Sequence, residues 1–213
     1  METVLGETGT TWSPIEWATL LSHLDPQQQY IVTEVAQYKK QPPFLSYQHE
    51  YITLTIQPCP SQPQPPEGPA IIKVSRAIQG NTICAHLGIY GEAMDTISVL
   101  GSTATYHVHH HCLYHLTWTP EEAPLLVAVA ALIATVHEVI PTYCLIKSSC
   151  HAFACAIIES IHFAYNGTTT QHRSYVLTGW LDFLGLIPAG AARAQTIAWP
   201  IAIAHTQARE QYG

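Results

Sequence analysis

Cys150 is the residue of this chain whose type and position best suit nucleophilic chemistry. The pair Ser148–Ser149 directly before it predicts the cap of a helix that begins at the cysteine. Unpaired backbone N–H groups and the positive end of the helix dipole favour a thiolate there and would lower the thiol pKa from about 8.5. The alternative is a buried structural cysteine, since free cysteine is among the most buried residue types. Cys155, five residues further along the same helix, is predicted to lie in the core.

A nucleophilic cysteine needs a histidine base within hydrogen-bond reach. One candidate is His86, in the strand-like run His86–Gly91, although an ordinary strand histidine is the alternative there. The other candidates are His109 and His111, in the histidine-rich run His107–His115. Asp95 could orient such a histidine or belong to turn chemistry.

The same histidine-rich run also allows a metal site. Strand alternation places His107, His109 and His111 on one face, where neighbouring imidazoles could ligate Zn, Ni or Cu. No acidic residue is interleaved, and a solvated histidine-rich strand is the simpler alternative. We therefore expect no cofactor, and keep a zinc site on these three histidines as the alternative.

The local signals predict helices at both ends of the chain and strands between them. Two capping motifs predict an N-terminal helical hairpin, with helices from Ser13 to Leu24 and from Asp25 to Tyr38. The predicted strands are Tyr47–Ile56, Ala70–Ala77, Thr82–Tyr90, Asp95–Leu100, Thr105–Trp118 and Tyr143–Ile146, with a proline-rich loop at Pro58–Pro69. The predicted later helices are Leu125–Val139 after a capping box at Thr119–Glu122, Cys150–Phe163, Tyr175–Leu186 and Gly190–Tyr212.

These elements predict an α+β fold in which an antiparallel sheet packs against the helix that carries Cys150. Residues 1–40 form the predicted helical hairpin, residues 41–165 the α+β core, and residues 166–213 an apolar helical extension.

Composition excludes several classes of protein. Charged residues are 11% and the formal net charge is −7, with no basic run, so no nucleic-acid footprint is present. The longest apolar run is about 12 residues, short of the roughly 20 that span a membrane. The first fifteen residues show no secretory pattern, so we expect a cytoplasmic location and six free thiols. The scarcity of charge also favours association into a homo-oligomer.

Two short segments carry a resemblance to a known group of enzymes. His86-Leu87-Gly88-Ile89-Tyr90, followed by further strands and then by Cys150-His151-Ala152-Phe153, resembles the circularly permuted papain-like cysteine enzymes, the lecithin:retinol acyltransferase-like and NlpC-like group. The frame of Leu116-Thr117-Trp118, Pro141-Thr142-Tyr143 and the Cys150 helix is also similar to an uncharacterised fungal family.

The resemblance implies a permuted papain-like fold and a hydrolase or acyltransferase that works through an acyl-enzyme. Its nucleophile would be Cys150, and its substrate a small molecule, lipid or peptide with an amide, ester or thioester bond. The family's Asn before the cysteine is Ser149 here, and its second histidine is replaced by Ile97 and Ser98. A non-enzymatic scaffold or interaction protein of the same fold is therefore the alternative.

Overall fold

The computed structural model describes residues 7–25, 28–40, 49–62, 68–79, 90–101, 110–144 and 150–171, and the isolated positions 200 and 203. In these residues eight strands form one antiparallel sheet, and three helices pack on one of its faces. The elements in chain order are β1 (Thr11–Trp12), α1 (Pro14–Ser22), β2 (Tyr30–Lys40), β3 (Glu50–Pro58), β4 (Ala70–Gln79), β5 (Tyr90–Gly101), β6 (His110–Thr117), α2 (Leu126–Val139), β7 (Thr142–Cys144), α3 (Cys150–Tyr165) and β8 (Thr168–Gln171).

The strands lie in the order β1-β5-β4-β3-β2-β6-β8, and β7 also pairs with β5. We call the face that meets the helices the helix side and the opposite face the far side. On the helix side of β3, Ile52, Leu54 and Ile56 are at most 1% exposed and pack in the core with residues of all three helices. The α+β class with an antiparallel sheet is therefore confirmed.

β2 is the main correction to the predicted elements. The helix predicted from Asp25 to Tyr38 is wrong, because Tyr30–Lys40 is a strand between β3 and β6. The run is rich in β-branched and aromatic residues, and both of its edges find partner strands, which outweighs the capping signal. The backbone carbonyl of Asp25 instead accepts the backbone N–H of Gln28 at 2.7 Å. The N-terminal region therefore contributes one helix and a central strand, not a helical hairpin.

The first helix follows its sequence signal closely. The Ser13 hydroxyl accepts the backbone N–H of Glu16 at 3.3 Å, and the Glu16 carboxylate accepts the backbone N–H of Ser13 at 2.9 Å. This reciprocal capping box sets the start of α1 after Ser13, as predicted.

The capping signal at Thr119–Glu122 does not mark the start of a helix. Thr119–Glu122 forms a turn, in which the Glu122 N–H donates to the Thr119 carbonyl at 3.1 Å. The following helix, α2, begins at Leu126 after an N-cap residue, Leu125, that makes no side-chain capping bond. The predicted helix is present, but the apolar run rather than the cap sets its start.

The remaining predictions divide between confirmed elements and those that cannot be compared. β4, β5, β7 and α3 overlap the predicted elements, and β3 begins at Glu50 rather than Tyr47. Three predicted elements lie outside the described residues in whole or in large part: the strand Thr82–Tyr90 and the two C-terminal helices. None of the helices in the described part of the chain is long and apolar enough to cross a membrane.

Candidate active site

Cys150, the predicted nucleophile, is the first residue of α3 and is 8% exposed. Burial raises the pKa of its thiol, because a thiolate loses its hydration there. Hydrogen bonds with the backbone of Glu50 and His151 act in the opposite direction but do not outweigh burial. The prediction that the helix start lowers this pKa is therefore wrong, since burying the charge costs more than the helix end returns.

Of the histidines predicted as partners of Cys150, only His111 lies within the described residues. Three of them lie outside the described residues: His86, His107 and His109. His111 lies in β6, where it is exposed and stands opposite Lys39 of β2. Lys39 stands opposite Glu50 of β3, so His111 is two strands from Glu50 on the same side of the sheet.

A different set of side chains meets where α3 crosses β2 and β3. Its members, the site residues, are Gln37, Glu50, His151 and Cys155. His151 and Cys155 are four residues apart and therefore share one face of α3. Gln37 of β2 and Glu50 of β3 project to the helix side and meet that face.

The Glu50 carboxylate holds the hydrogen bonds of this site together. Its Oε2 accepts from Nε2 of Gln37 at 2.6 Å and lies 2.8 Å from Nδ1 of His151. The sulfur of Cys155 lies 3.7 Å from Nε2 and 3.8 Å from Nδ1 of His151, and 3.8 Å from Nε2 of Gln37. Because Nδ1 is held by the carboxylate, Nε2 is the imidazole nitrogen left to exchange a proton with the sulfur.

Charge at the site favours a protonated imidazole. Burial alone would lower the pKa of His151, but hydrogen bonds and charge interactions with Cys155 and Glu50 outweigh burial and raise the pKa to about 11. His151 is therefore an imidazolium at neutral pH. Lys39, whose Nζ lies 4.0 Å from Oε1 of Glu50, adds a second cation beside the single carboxylate.

The site residues differ in how much of their surface is exposed to solvent. Gln37 and Glu50 are 1% and 4% exposed, whereas Cys155 is half-buried. The carboxylate and the amide are thus shielded from water, which strengthens their hydrogen bonds to neighbouring groups. Cys155 as a whole residue keeps part of its surface exposed.

Sequence reasoning missed this site for an identifiable reason. The one local signal was the spacing of His151 and Cys155, four residues apart on a predicted helix. Gln37 lay in a segment predicted to be helical, and Glu50 at the start of a predicted strand, so neither pointed to α3. Cys155 does pack against the hydrophobic core, near the location predicted for it, but its contacts with Gln37 and His151 were not predicted.

Metal binding gains no support from the described residues. Within them, no group of three or more His, Cys, Asp or Glu side chains is arranged to hold a metal ion. Of the three histidines in the predicted zinc site, only His111 falls in this part of the chain.

A second polar cluster on the helix side involves Asp95. Arg76 donates from Nε and Nη2 to the Asp95 carboxylate at 2.7 and 2.6 Å, and from Nη2 to the carbonyl of Ile140 at 2.7 Å. Nδ1 of His137 lies 2.6 Å from the same carboxylate. The Arg76 guanidinium also lies 4.1 Å from the ring centroid of Phe153. Asp95 does orient a histidine, but this cluster ties α2 and α3 to the sheet and contains no nucleophile.

A cavity of about 220 Å³ lies apart from the site residues. It is formed by the end of α1 and the starts of β2 and α2, and its lining includes Leu21, Asp25 and Leu126.

Comparison of the chain with protein-family models, curated proteins and solved structures finds no match.

Proposed function

We propose that the chain is a cysteine-dependent hydrolase or acyltransferase of the permuted papain-like type, with Cys155 as its nucleophile. The observation that carries this proposal is the position of His151, whose imidazole contacts both the Cys155 sulfur and the Glu50 carboxylate. A thiol beside an imidazole that a third group orients is the arrangement that nucleophilic catalysis by cysteine requires. The resemblance in the sequence matches Cys150 rather than Cys155, so it supports the reaction class and not the choice of nucleophile.

Cys155 suits the role better than Cys150, although both lie on α3. Burial raises the pKa of the Cys150 thiol, which leaves it protonated and unreactive at neutral pH. Cys155 is more exposed and lies within 3.8 Å of both ring nitrogens of His151.

The reaction begins with attack of the Cys155 thiolate on the carbonyl carbon of an amide, ester or thioester. A C–S bond forms and the carbonyl electron pair moves to oxygen. As the intermediate collapses, the bond to the leaving group breaks, and His151 gives its proton to that group. The neutral His151 then takes a proton from water or from another molecule that accepts the acyl group. That molecule attacks the carbonyl carbon of the acyl-enzyme, the C–S bond breaks, and the thiolate is released.

Glu50 and Gln37 act in this scheme as positioning residues. Glu50 fixes the ring of His151 through Nδ1 and stabilises its positive charge. Gln37 fixes the carboxylate with a 2.6 Å hydrogen bond. The substrate is a small molecule, lipid or peptide that presents a carbonyl at the half-buried thiol.

Alkylation by iodoacetamide, followed by mass spectrometry, tests the proposal on the full chain. We expect Cys155 to react at least about tenfold faster than Cys59, another half-buried cysteine, at pH 7. Hydrolysis of p-nitrophenyl acetate should show a burst that Cys155→Ser abolishes and Cys150→Ser retains.

The matched control is His137→Gln, which makes the same change at another histidine paired with a carboxylate. His151→Gln should remove the reactivity of Cys155, and His137→Gln should keep it. Equal alkylation of Cys155 and Cys59 in the wild-type chain would overturn the proposal. A burst lost only in Cys150→Ser would return the nucleophile to the residue that the sequence predicts.

A second candidate function is a non-enzymatic scaffold of the same fold. The burial of Glu50 and Gln37, at 4% and 1% exposure, favours it, because a buried polar cluster can serve to fix one packing arrangement of α3. A scaffold requires folding but no thiol reactivity. Variants at Cys155 would then unfold at the wild-type denaturant concentration, and no cysteine would react faster than the others.

A further inference from the structure

Positive charge gathers on the far side of the sheet in a chain whose net charge is −7. The far-side cluster consists of Lys40, His49, Tyr51, Lys73 and His110. It contains two of the four lysines of the chain. These residues come from β2, β3, β4 and β6 and from the residue just before β3, so only the sheet brings them together.

The ring of Tyr51 lies at the centre of the far-side cluster. The Lys73 ammonium is 4.7 Å from the centroid of this ring. The imidazole of His110 meets the ring edge to face, with centroids 5.4 Å apart, and its Nδ1 is hydrogen-bonded to the Tyr51 hydroxyl. The ring of His49 stacks on Tyr51 with centroids 6.4 Å apart. Lys40 stands directly opposite His110 and donates its backbone N–H to the carbonyl of His49 at 3.0 Å.

The two lysines of the far-side cluster are not balanced by a carboxylate among the described residues. In the part of the chain that the structure describes, neither Lys40 nor Lys73 forms an ion pair. Glu34, the acidic residue of β2, lies 3.1 Å from His115 instead. Glu50 projects to the helix side, where His151 and Lys39 already engage it.

The titration of the far-side groups reflects this imbalance. Burial lowers the pKa of His49 to about 4, and the charge of Lys73 adds to this effect. Glu50 opposes it, and the smaller contributions of Lys40 and His110 lower the pKa further. Burial and the charge of Lys40 also lower the pKa of Lys73. The two far-side lysines, Lys40 and Lys73, are thus close enough to repel each other, and an anion placed between them would relieve that repulsion.

We propose that the far-side cluster is a binding site for an oxyanion, namely the phosphate or carboxylate group of a small ligand. The two ammonium groups supply charge-assisted donors for its oxygens. Tyr38, which stacks on Tyr51 with centroids 5.7 Å apart, extends a flat aromatic surface beside these donors. A planar group attached to the anion packs on that surface. This site does not depend on the thiol chemistry proposed for the helix side.

Titration of the full chain with sodium phosphate at constant ionic strength tests the site. Thermal unfolding and the imidazole NMR signals of His49 and His110 report binding. We expect a saturable rise in Tm and an upward shift of the His49 titration midpoint, because a bound anion stabilises the imidazolium. Benzoate and phenyl phosphate, titrated in the same way, distinguish a carboxylate ligand from a phosphate ligand.

Lys73→Gln removes one far-side charge and should weaken phosphate binding by about tenfold. Lys40→Gln, at an exposed position, should weaken it in the same direction and serves if Lys73→Gln does not fold. The matched control is Lys39→Gln, which removes the same charge from β2 but on the helix side. Its phosphate affinity should equal that of the wild type.

Two results would overturn the proposal. One is a phosphate effect that does not saturate, or that is the same in the wild type and both far-side variants, which would mark a general salt effect. The other is a loss of affinity in Lys39→Gln as large as in Lys73→Gln, which would place the anion on the helix side.

Discussion

His49 and His151 lie on opposite sides of the start of β3, and their pKa values move in opposite directions. Burial by itself acts to lower the pKa of both histidines. On the far side, lysine charges add to burial and the pKa of His49 falls to about 4. On the helix side, contact with Glu50 and Cys155 reverses the effect and the pKa of His151 rises to about 11. The partner group therefore decides the charge state, while burial sets how strongly that partner acts.

The difference follows from strand geometry. Successive side chains of a strand point to opposite faces, so Lys39 and Lys40 of β2 belong to different environments although they are neighbours in sequence. Lys39 meets the Glu50 carboxylate, and Lys40 meets His49 and His110. A shift of register by one residue would exchange the two sets.

The sharpest test of charge balance on the helix side is Asp95→Asn. It leaves the buried guanidinium of Arg76 without its carboxylate, and we expect the free energy of unfolding to fall by about 3–5 kcal/mol. Urea unfolding followed by circular dichroism measures the change. The double variant Arg76→Met with Asp95→Leu should recover most of the loss, and a single variant as stable as the wild type would contradict the expectation.

The second effect is a loss of stability at alkaline pH that depends on His151. Its pKa is raised from 6.5 to about 11, so the folded state holds a proton that the unfolded state releases between these values. The stabilisation is complete below pH 6.5 and declines as pH rises toward 11, by at most about 1.4 kcal/mol per pH unit. Urea unfolding at pH 6.5, 8 and 9 should show this slope in the wild type, and His151→Gln should flatten it.

The third effect has the opposite sign and belongs to His49. Its pKa is lowered from 6.5 to about 4, so the folded state resists protonation and its stability falls as pH drops from 6.5 toward 4. The slope is at most about 1.4 kcal/mol per pH unit over this shorter window. Comparing unfolding of the wild type and His49→Gln at pH 6.5, 5.5 and 5 isolates it. Equal slopes in the two proteins would contradict the assignment.

The smallest expected effect is that of Lys73→Gln on stability without an added anion. Loss of the cation–π contact with Tyr51 costs about 0.5–1 kcal/mol, and relief of a partly buried charge offsets it. The free energy of unfolding should therefore change by no more than about 1 kcal/mol. A loss of unfolding free energy comparable to that of Asp95→Asn would show that the charges on the far side are paired as closely as those on the helix side.

Local elements were predictable where the signal and the structure depend on the same few residues. The Ser13–Glu16 capping box lies within four residues, and its hydrogen bonds form as the sequence predicts. Strand β4 begins at Ala70, the predicted residue. β2 could not be predicted in this way, because its strand conformation depends on pairing with β3 and β6.

The sequence by itself determined the fold class, the scarcity of charge and the spacing that puts His151 and Cys155 on one face of α3. Only the tertiary structure decided that His151 meets Glu50, 101 residues away, and that Cys150 is buried. Spacing along a helix is fixed by backbone geometry, so the sequence carries it. Contact between distant residues, and the hydration that a thiol loses on burial, depend on how the sheet and the helices pack together.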